Sequence, residues 1–196
     1  QSIYRIAGTA SVNGTAATLQ TPVRPGDTVE TGRDSEIVFV VGGHSMILRA
    51  ETRLVIESER KESPSLLISG LRLLTGMLLS VSRKSQMRVT TSTATIGIRG
   101  TGWYAESHPE QTYFCTCYGT ADIEASNDPG SKETVVAKFH DRPLYILGKA
   151  ATGGAIRNAP FINHTDQELM LIETLVGRTP PFVFPKGDYT GPRRDY

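Results

Sequence analysis

The sequence predicts an all-β fold, a β-coil or curled sandwich of short strands, with one C-terminal α-helix. Three observations carry this expectation. Short runs rich in Val, Ile, Thr and aromatic residues follow one another from Ser2 to about Ile146. Gly, Asn, Asp and Pro separate them at intervals of roughly 8 to 12 residues, the signature of neighbouring strands rather than of βαβ units. One segment near the C-terminus, "NHTDQELMLIETLVGR", breaks the pattern with helical spacing.

The expected strands run in order. Ile3 to Ala7 and Ala16 to Leu19 flank Asn13-Gly14, a dipeptide suited to a hairpin because both central positions of a type I′ turn need positive φ. Thr28 to Thr31, Ser35 to Val41 and His44 to Leu48 follow, with Gly42-Gly43 as the same kind of turn between the last two. Next come Arg53 to Ile56, Leu66 to Ile68, Leu71 to Leu74, Met77 to Ser82, Gln86 to Thr91, Ala94 to Ile98 and Gly102 to Ala105. Thr112 to Tyr118, Ala121 to Ala125, Thr134 to Ala137 and Leu144 to Leu147 complete a β-domain expected over residues 1–147.

Residues 148–196 form the expected C-terminal extension. Thr165 followed three residues later by Glu168 is a capping box, Leu169, Ile172, Leu175 and Val176 repeat at helical spacing, and Gly177 suits the position after the helix end. These signals predict a helix over about 166–176. After it, "TPPFVFPKGDYTGPRRDY" holds too many Pro and Gly residues for a regular element and reads as an extended tail or an arm reaching for a partner. Ile96, Ile98, Trp103 and Tyr113 are expected in the core, with Leu169, Ile172 and Val176 as the buried helix face.

Composition narrows the function classes. The chain's 196 residues suffice for a core without disulfides or metals to hold it together. Its 21 basic and 20 acidic side chains give no bulk attraction to nucleic acid or anionic lipid, and the one basic cluster, Arg193-Arg194, sits beside Asp195. No nucleic-acid partner is expected. The longest apolar candidate, Ile37 to Val41, is cut by Gly42-Gly43-His44, far short of the ~20 residues of a membrane span. The chain starts at Gln1 rather than Met, which suggests a mature product exported to the periplasm or beyond after loss of a signal peptide. Two matches to the N-glycosylation pattern, at Asn13 and Asn163, are too short a signal to use.

Three stretches carry a family likeness: "PGDTVETGRDSEIVFVVGGHSMILRAETRLVIE" (Pro25 to Glu57), "LLTGMLLSV" (Leu73 to Val81) and "VTTSTATIGIRGTGWYAE" (Val89 to Glu106). Together they resemble the FecR-type domain of bacterial periplasmic proteins, over about residues 3–125. The resemblance implies a curled stack of short strands in an exported protein, and, from the namesake regulator, relay of an outer-membrane receptor signal to a cytoplasmic sigma factor. The cytoplasmic segment and membrane helix of that regulator have no counterpart here, and the region from Cys115 onward goes beyond the domain pattern. Gly26, Gly32 and Gly100 fit places where the backbone turns with unusual φ.

Catalytic motifs are not found. Gly97-Ile98-Arg99-Gly100-Thr101-Gly102 has the wrong glycine order for a dinucleotide site, Gly148-Lys149-Ala150 lacks the rest of a phosphate loop, and Gly42-Gly43-His44-Ser45-Met46 is not a nucleophile elbow. No enzyme is expected. Trp103 reads as a core anchor, and His44 and His108 read as solvated loop residues.

The two cysteines, Cys115 and Cys117 in "YFCTCYGTADI", are the residues with chemistry to offer. On a strand they share a face with Cα atoms ~6.6 Å apart, the outer edge for a disulfide, so a bond between them would need a bulge. Thiolates at that spacing converge readily on an ion, and His140 and His164 complete a Cys2His2 set: Cys115, Cys117, His140 and His164. Asp141 and Asp166 stand next to the histidines as candidate acceptors that would fix each imidazole tautomer. The metal would be zinc or copper. Three functions follow: an exported binding or structural module with a metal site joining β-body to helix; a self-assembling fibre subunit linked by strand addition or by cysteines; or a periplasmic relay domain. Each implies a protein partner or self-association.

Overall fold

The computed structural model describes residues 1–58, 68–82 and 86–181, with the backbone alone at Thr101, Ala150 and Ala151. Strands β1 (Ile3–Ala7), β2 (Ala10–Val12), β3 (Thr15–Ala16), β4 (Thr28–Thr31), β5 (Glu36–Val41), β6 (His44–Leu48) and β7 (Arg53–Ser58) come first. They are followed by β8 (Ile68–Ser82), β9 (Gln86–Thr90), β10 (Ala94–His108), β11 (Gln111–Ala125), β12 (Asp128–Ala137), β13 (Leu144–Ala151) and β14 (Gly154–Asn158). Helix α1 spans Asp166–Leu175. The fold is therefore all-β with a C-terminal helix, as the strand and turn spacing predicts.

All fourteen strands belong to one sheet, whose main path is β14-β13-β11-β10-β9-β8-β7-β4-β2-β3. Its pairings are antiparallel except β8 with β9. The sheet curls because its longest strands change partners midway. The first half of β8 pairs with β7 and β9, and its second half with β6 and β10. β10 changes from β9 to β8 on one side, and β11 from β13 to β12 on the other.

Glycines mark these corners: Gly76, Gly100 and Gly119 all lie at positive φ, where a side chain would be strained. This explains the largest difference from the sequence reading. Runs expected as separate strands, Leu71 to Leu74 and Met77 to Ser82, Ala94 to Ile98 and Gly102 to Ala105, Thr112 to Tyr118 and Ala121 to Ala125, are halves of single bent strands. A glycine inside a strand signals a bend or bulge as well as a stop. Gly26 has the expected positive φ, whereas Gly32 does not; it is small because a Cβ there would run into the Thr9 side chain.

The other strand corrections are local. Asn13-Gly14 forms its turn with both residues at positive φ, which pairs Val12 with Thr15 and Ser11 with Ala16. That creates β2, absent from the sequence reading, and shortens the strand expected at Ala16 to Leu19. The sheet also runs past residue 147, through a turn at Gly153-Gly154, to Asn158. The Leu66 and Leu67 end of one expected strand lies outside the described residues, as do the tail from Phe182 and the Arg193-Arg194 cluster.

Two cores result, one on each face of the bent strands. The inner core contains Ile3, Phe39, Met46, Leu54, Ile96, Ile98, Trp103 and Phe114, with Trp103 stacked on Phe114 at a centroid distance of 5.8 Å. The outer core lies under the C-terminal segment. One rung of it crosses five strands as Val38, Ile47, Leu79, Tyr104 and Cys115, all buried. Leu169, Ile172 and Val176 close it from the helix side. Ile96, Ile98, Trp103 and Tyr113 are buried as expected. His44 is not solvated: strand pairing opposite Ser82 buries it, Nδ1 lies 3.0 Å from Ser82 Oγ, and burial lowers its pKa to about 4.

Candidate metal centre

Cys115 and Cys117 sit in β11 where the ladder slips. Trp103 faces Thr116, but Gly102 faces Tyr118, so Cys117 is an extra residue, a β-bulge. A bulge puts neighbouring side chains on one face that regular alternation would separate. Here it turns Cys115, Cys117 and Tyr118 all toward the outer core. The glycine at 102 is required, since a Cβ would strike the Tyr118 ring.

His140 reaches the cysteines from the loop between β12 and β13. Its backbone adopts φ of 50° and its N–H donates to the Cys117 carbonyl at 2.9 Å. Asp141 shapes that loop by accepting from the Lys138 and Phe139 amides at 2.5 and 3.2 Å. His164 arrives from the strap between β14 and α1. Tyr113 Oη anchors this strap, donating to the Pro160 carbonyl at 3.0 Å and accepting from the Ile162 amide at 3.2 Å. Asn163, at φ of 58°, donates to Glu106 at 2.7 Å.

The four residues predicted as a set meet. Cys115 Sγ, Cys117 Sγ and one nitrogen of each histidine all lie within 4.8 Å of one another. Cys115 Sγ is 3.5 Å from His140 Nδ1, Cys117 Sγ is 3.4 Å from His164 Nε2, and the two nitrogens are 3.3 Å apart. Donors bound tetrahedrally at ~2.3 Å (sulfur) and ~2.05 Å (nitrogen) would lie ~3.6 Å (S to N) and ~3.3 Å (N to N) apart. These three separations match a tetrahedral ligand shell, and all the donor atoms stay within 4.8 Å of one another.

The outer nitrogens settle which lone pairs point inward. His164 Nδ1 lies 2.7 Å from the Ile162 carbonyl, which only accepts, so Nδ1 carries the proton and Nε2 faces the cysteines with its lone pair. His140 Nε2 is 2.9 Å from the Asp166 carboxylate, which leaves Nδ1 facing inward. Asp166 thus serves His140, not the adjacent His164 as the sequence reading has it, and Asp141 serves backbone amides instead. Its place in the first turn of α1 also suits a carboxylate, beside the positive end of the helix dipole.

Aromatic rings fix the imidazoles further. His164 stacks on Tyr104 at 4.5 Å, and Phe161 packs against His164 at 4.3 Å and His140 at 4.4 Å. Sequence reasoning missed Tyr104, which meets His164 only through the fold, and also Phe161 and the Ile162 carbonyl, which are local to His164 but belong to an irregular strap that no helix or strand pattern describes.

The protons respond to this crowding. Burial alone would raise the Cys115 thiol, but hydrogen bonds with Cys117, His140 and His164 outweigh it and hold Cys115 well below the usual thiol range. Burial and the neighbouring Cys115 push Cys117 up. Burial works against a charged His140, yet Asp166 and Cys115 raise it to about 9. Without an ion, Cys115 and His140 thus favour a thiolate beside an imidazolium. Both thiols are free and fully buried.

No family model matches the sequence, and no curated protein does. Among solved structures, the chain is similar to two crystal structures, each of "a putative anti-sigma factor" from Parabacteroides distasonis. The first aligns with a TM-score of 0.52 at 13% identity, covering 67% of this chain and 58% of the other. The second gives a TM-score of 0.52 at 12% identity, with 74% and 71% covered. The likeness is one of fold. It is compatible with the FecR-type resemblance, and this chain spans about 58% of the first structure's length.

Proposed function

We propose that the chain is an exported, non-enzymatic module of FecR-domain type in which Cys115, Cys117, His140 and His164 hold a zinc ion. The observation that carries this reading is the convergence of four donor atoms within 4.8 Å of one another, with three of their separations at tetrahedral values. Zinc suits the site better than copper(I) by charge: two thiolates neutralise a dication, whereas a monocation would leave a buried net negative charge beside Asp166. All four positions come from the protein, the pattern of a structural site rather than a catalytic one.

The ion would join β11, the β12–β13 loop and the strap ahead of α1, and so fasten the C-terminal segment to the β-body. Metal analysis of protein purified without added metal tests this, with about one zinc per chain expected. A chelator, or Cys115→Ser, should then expose the chain to proteolysis near Asp166 while the N-terminal body stays protected. A chain that takes up no zinc when incubated with it would end the reading.

A second reading, relay between a membrane receptor and a partner chain, draws on the fold shared with the two Parabacteroides distasonis proteins. Co-purification of a membrane receptor with this chain would support it. Self-assembly by addition of the terminal arm as a strand predicts a size shift on truncation after residue 181.

A further inference from the structure

We infer that Cys115 and Cys117 form a redox gate on this site, closing to a disulfide within one strand and expelling the ion. The inference rests on the metal reading for its consequence but on the bulge for its geometry. In an unbroken strand the two Cα atoms would be ~6.6 Å apart, at the limit for a disulfide. A disulfide accepts Cα separations of ~4.4 to ~6.8 Å, so only a slight departure from a regular strand is needed. The ladder slips at Cys117 itself, and the two sulfurs lie within 4.8 Å of each other. The same kink that gathers two thiolates for an ion thus readies them for each other.

The alternatives are closed off. These are the only cysteines in the chain, and both are fully buried, which disfavours a bond to a second molecule. Burial also sets the order of events. The His140 loop and the Asn163–His164 strap cover the sulfurs, so a small disulfide reaches them only when this cover opens. One thiolate then attacks the small disulfide, its S–S bond breaks, and one small thiolate leaves. The second cysteine attacks the resulting mixed disulfide and expels the other small thiolate. Two electrons pass from the cysteines to the reagent. The ion keeps two imidazoles of its four donors and dissociates, and α1 loses its tether.

Zinc-loaded full-length chain treated with oxidised glutathione tests this. The expected result is a mass loss of about 2 Da in a monomer, with one ion released per disulfide, reversed by reductant and zinc. Cys117→Ser should instead stop at a stable glutathione adduct on Cys115. Disulfide-linked dimers, a lasting adduct on the unsubstituted chain, or ion release without the mass loss would overturn the gate. If the chain binds no zinc, the metal reading fails by itself, and the mass measurement on the metal-free monomer still decides whether the two cysteines pair.

Discussion

The inner and outer faces of β10 and β11 both bury large aromatics, yet they are closed by different means. Inward, Trp103 and Phe114 belong to a core whose side chains are drawn mostly from strands between β1 and β14, so the inner core is tied into the hydrogen-bonded sheet almost throughout. Outward, Tyr104, Tyr113, Cys115 and Cys117 are covered by a strap and a helix that add no strand to the sheet. A helix of ten residues is marginal alone, so α1 depends on what fastens it. Its fastenings include the apolar face, Arg49 to Glu168 at 3.0 Å, Arg178 to the Ser82 carbonyl at 2.7 Å, Asn163 to Glu106, the Tyr113 hydroxyl at the strap, Asp166 to His140 and the Cys2His2 set. Distributed closure makes the inner core a frame. Concentrated closure makes the outer one detachable.

The sharpest way to break this contrast is to truncate one residue on each side. Trp103→Ala should cost ~3 to 5 kcal/mol and lower the whole unfolding transition. Ile172→Ala should cost ~2 to 5 kcal/mol and act first on the helix, seen as early loss of amide protection over 166–175 while the sheet amides stay protected. If both substitutions merely shift one common transition, the two cores are a single unit.

His44 probes the seam, since its ring pairs with Ser82 near the carbonyl that holds Arg178. Its folded pKa of about 4 lies below the unfolded value of 6.5. The unfolded chain therefore binds the extra proton, so the contribution is present above pH 6.5 and is lost as pH falls toward 4, about 3 kcal/mol in full. Denaturant titrations at pH 7 and pH 4.5 should show a smaller loss in His44→Gln than in the unsubstituted chain. An equal loss would place the acid sensitivity elsewhere.

Asp166→Asn removes the charged acceptor of His140 without touching either sulfur. Zinc affinity should fall ~10 to 100-fold in a competition titration, with the sheet unaffected. The smallest expected effect belongs to Thr165→Ala, which loses the cap on Glu168 and costs ~1 kcal/mol, read as local fraying of α1. A global loss from Thr165→Ala would blur the contrast between the two cores.

What was legible in the sequence follows the range of the interactions concerned. The β class, most strands, the Asn13-Gly14 turn and the capped helix from Asp166 rest on local patterns, which turn chemistry and side-chain periodicity write into neighbouring residues. The Cys2His2 set was also legible as a list, because only two cysteines and four histidines exist to choose from.

The rest was decided by contacts between distant residues. That Gly76, Gly100 and Gly119 bend strands instead of ending them depends on which strands lie alongside each half. That Asp166 turns to His140 and that His44 is buried against Ser82 depend on segments 26 and 38 residues apart being folded together, as does the meeting of Cys117 with His164 across 47 residues. The bulge at Cys117 is the clearest case. A Cys-x-Cys pair shares a face on any regular strand, but the turning of Tyr118 to that same face, with Gly102 making room for its ring, comes from how β10 slips against β11. Local sequence sets backbone preference over a few residues, whereas the meeting of four donor atoms is a property of packed chain segments and exists only once the sheet has closed.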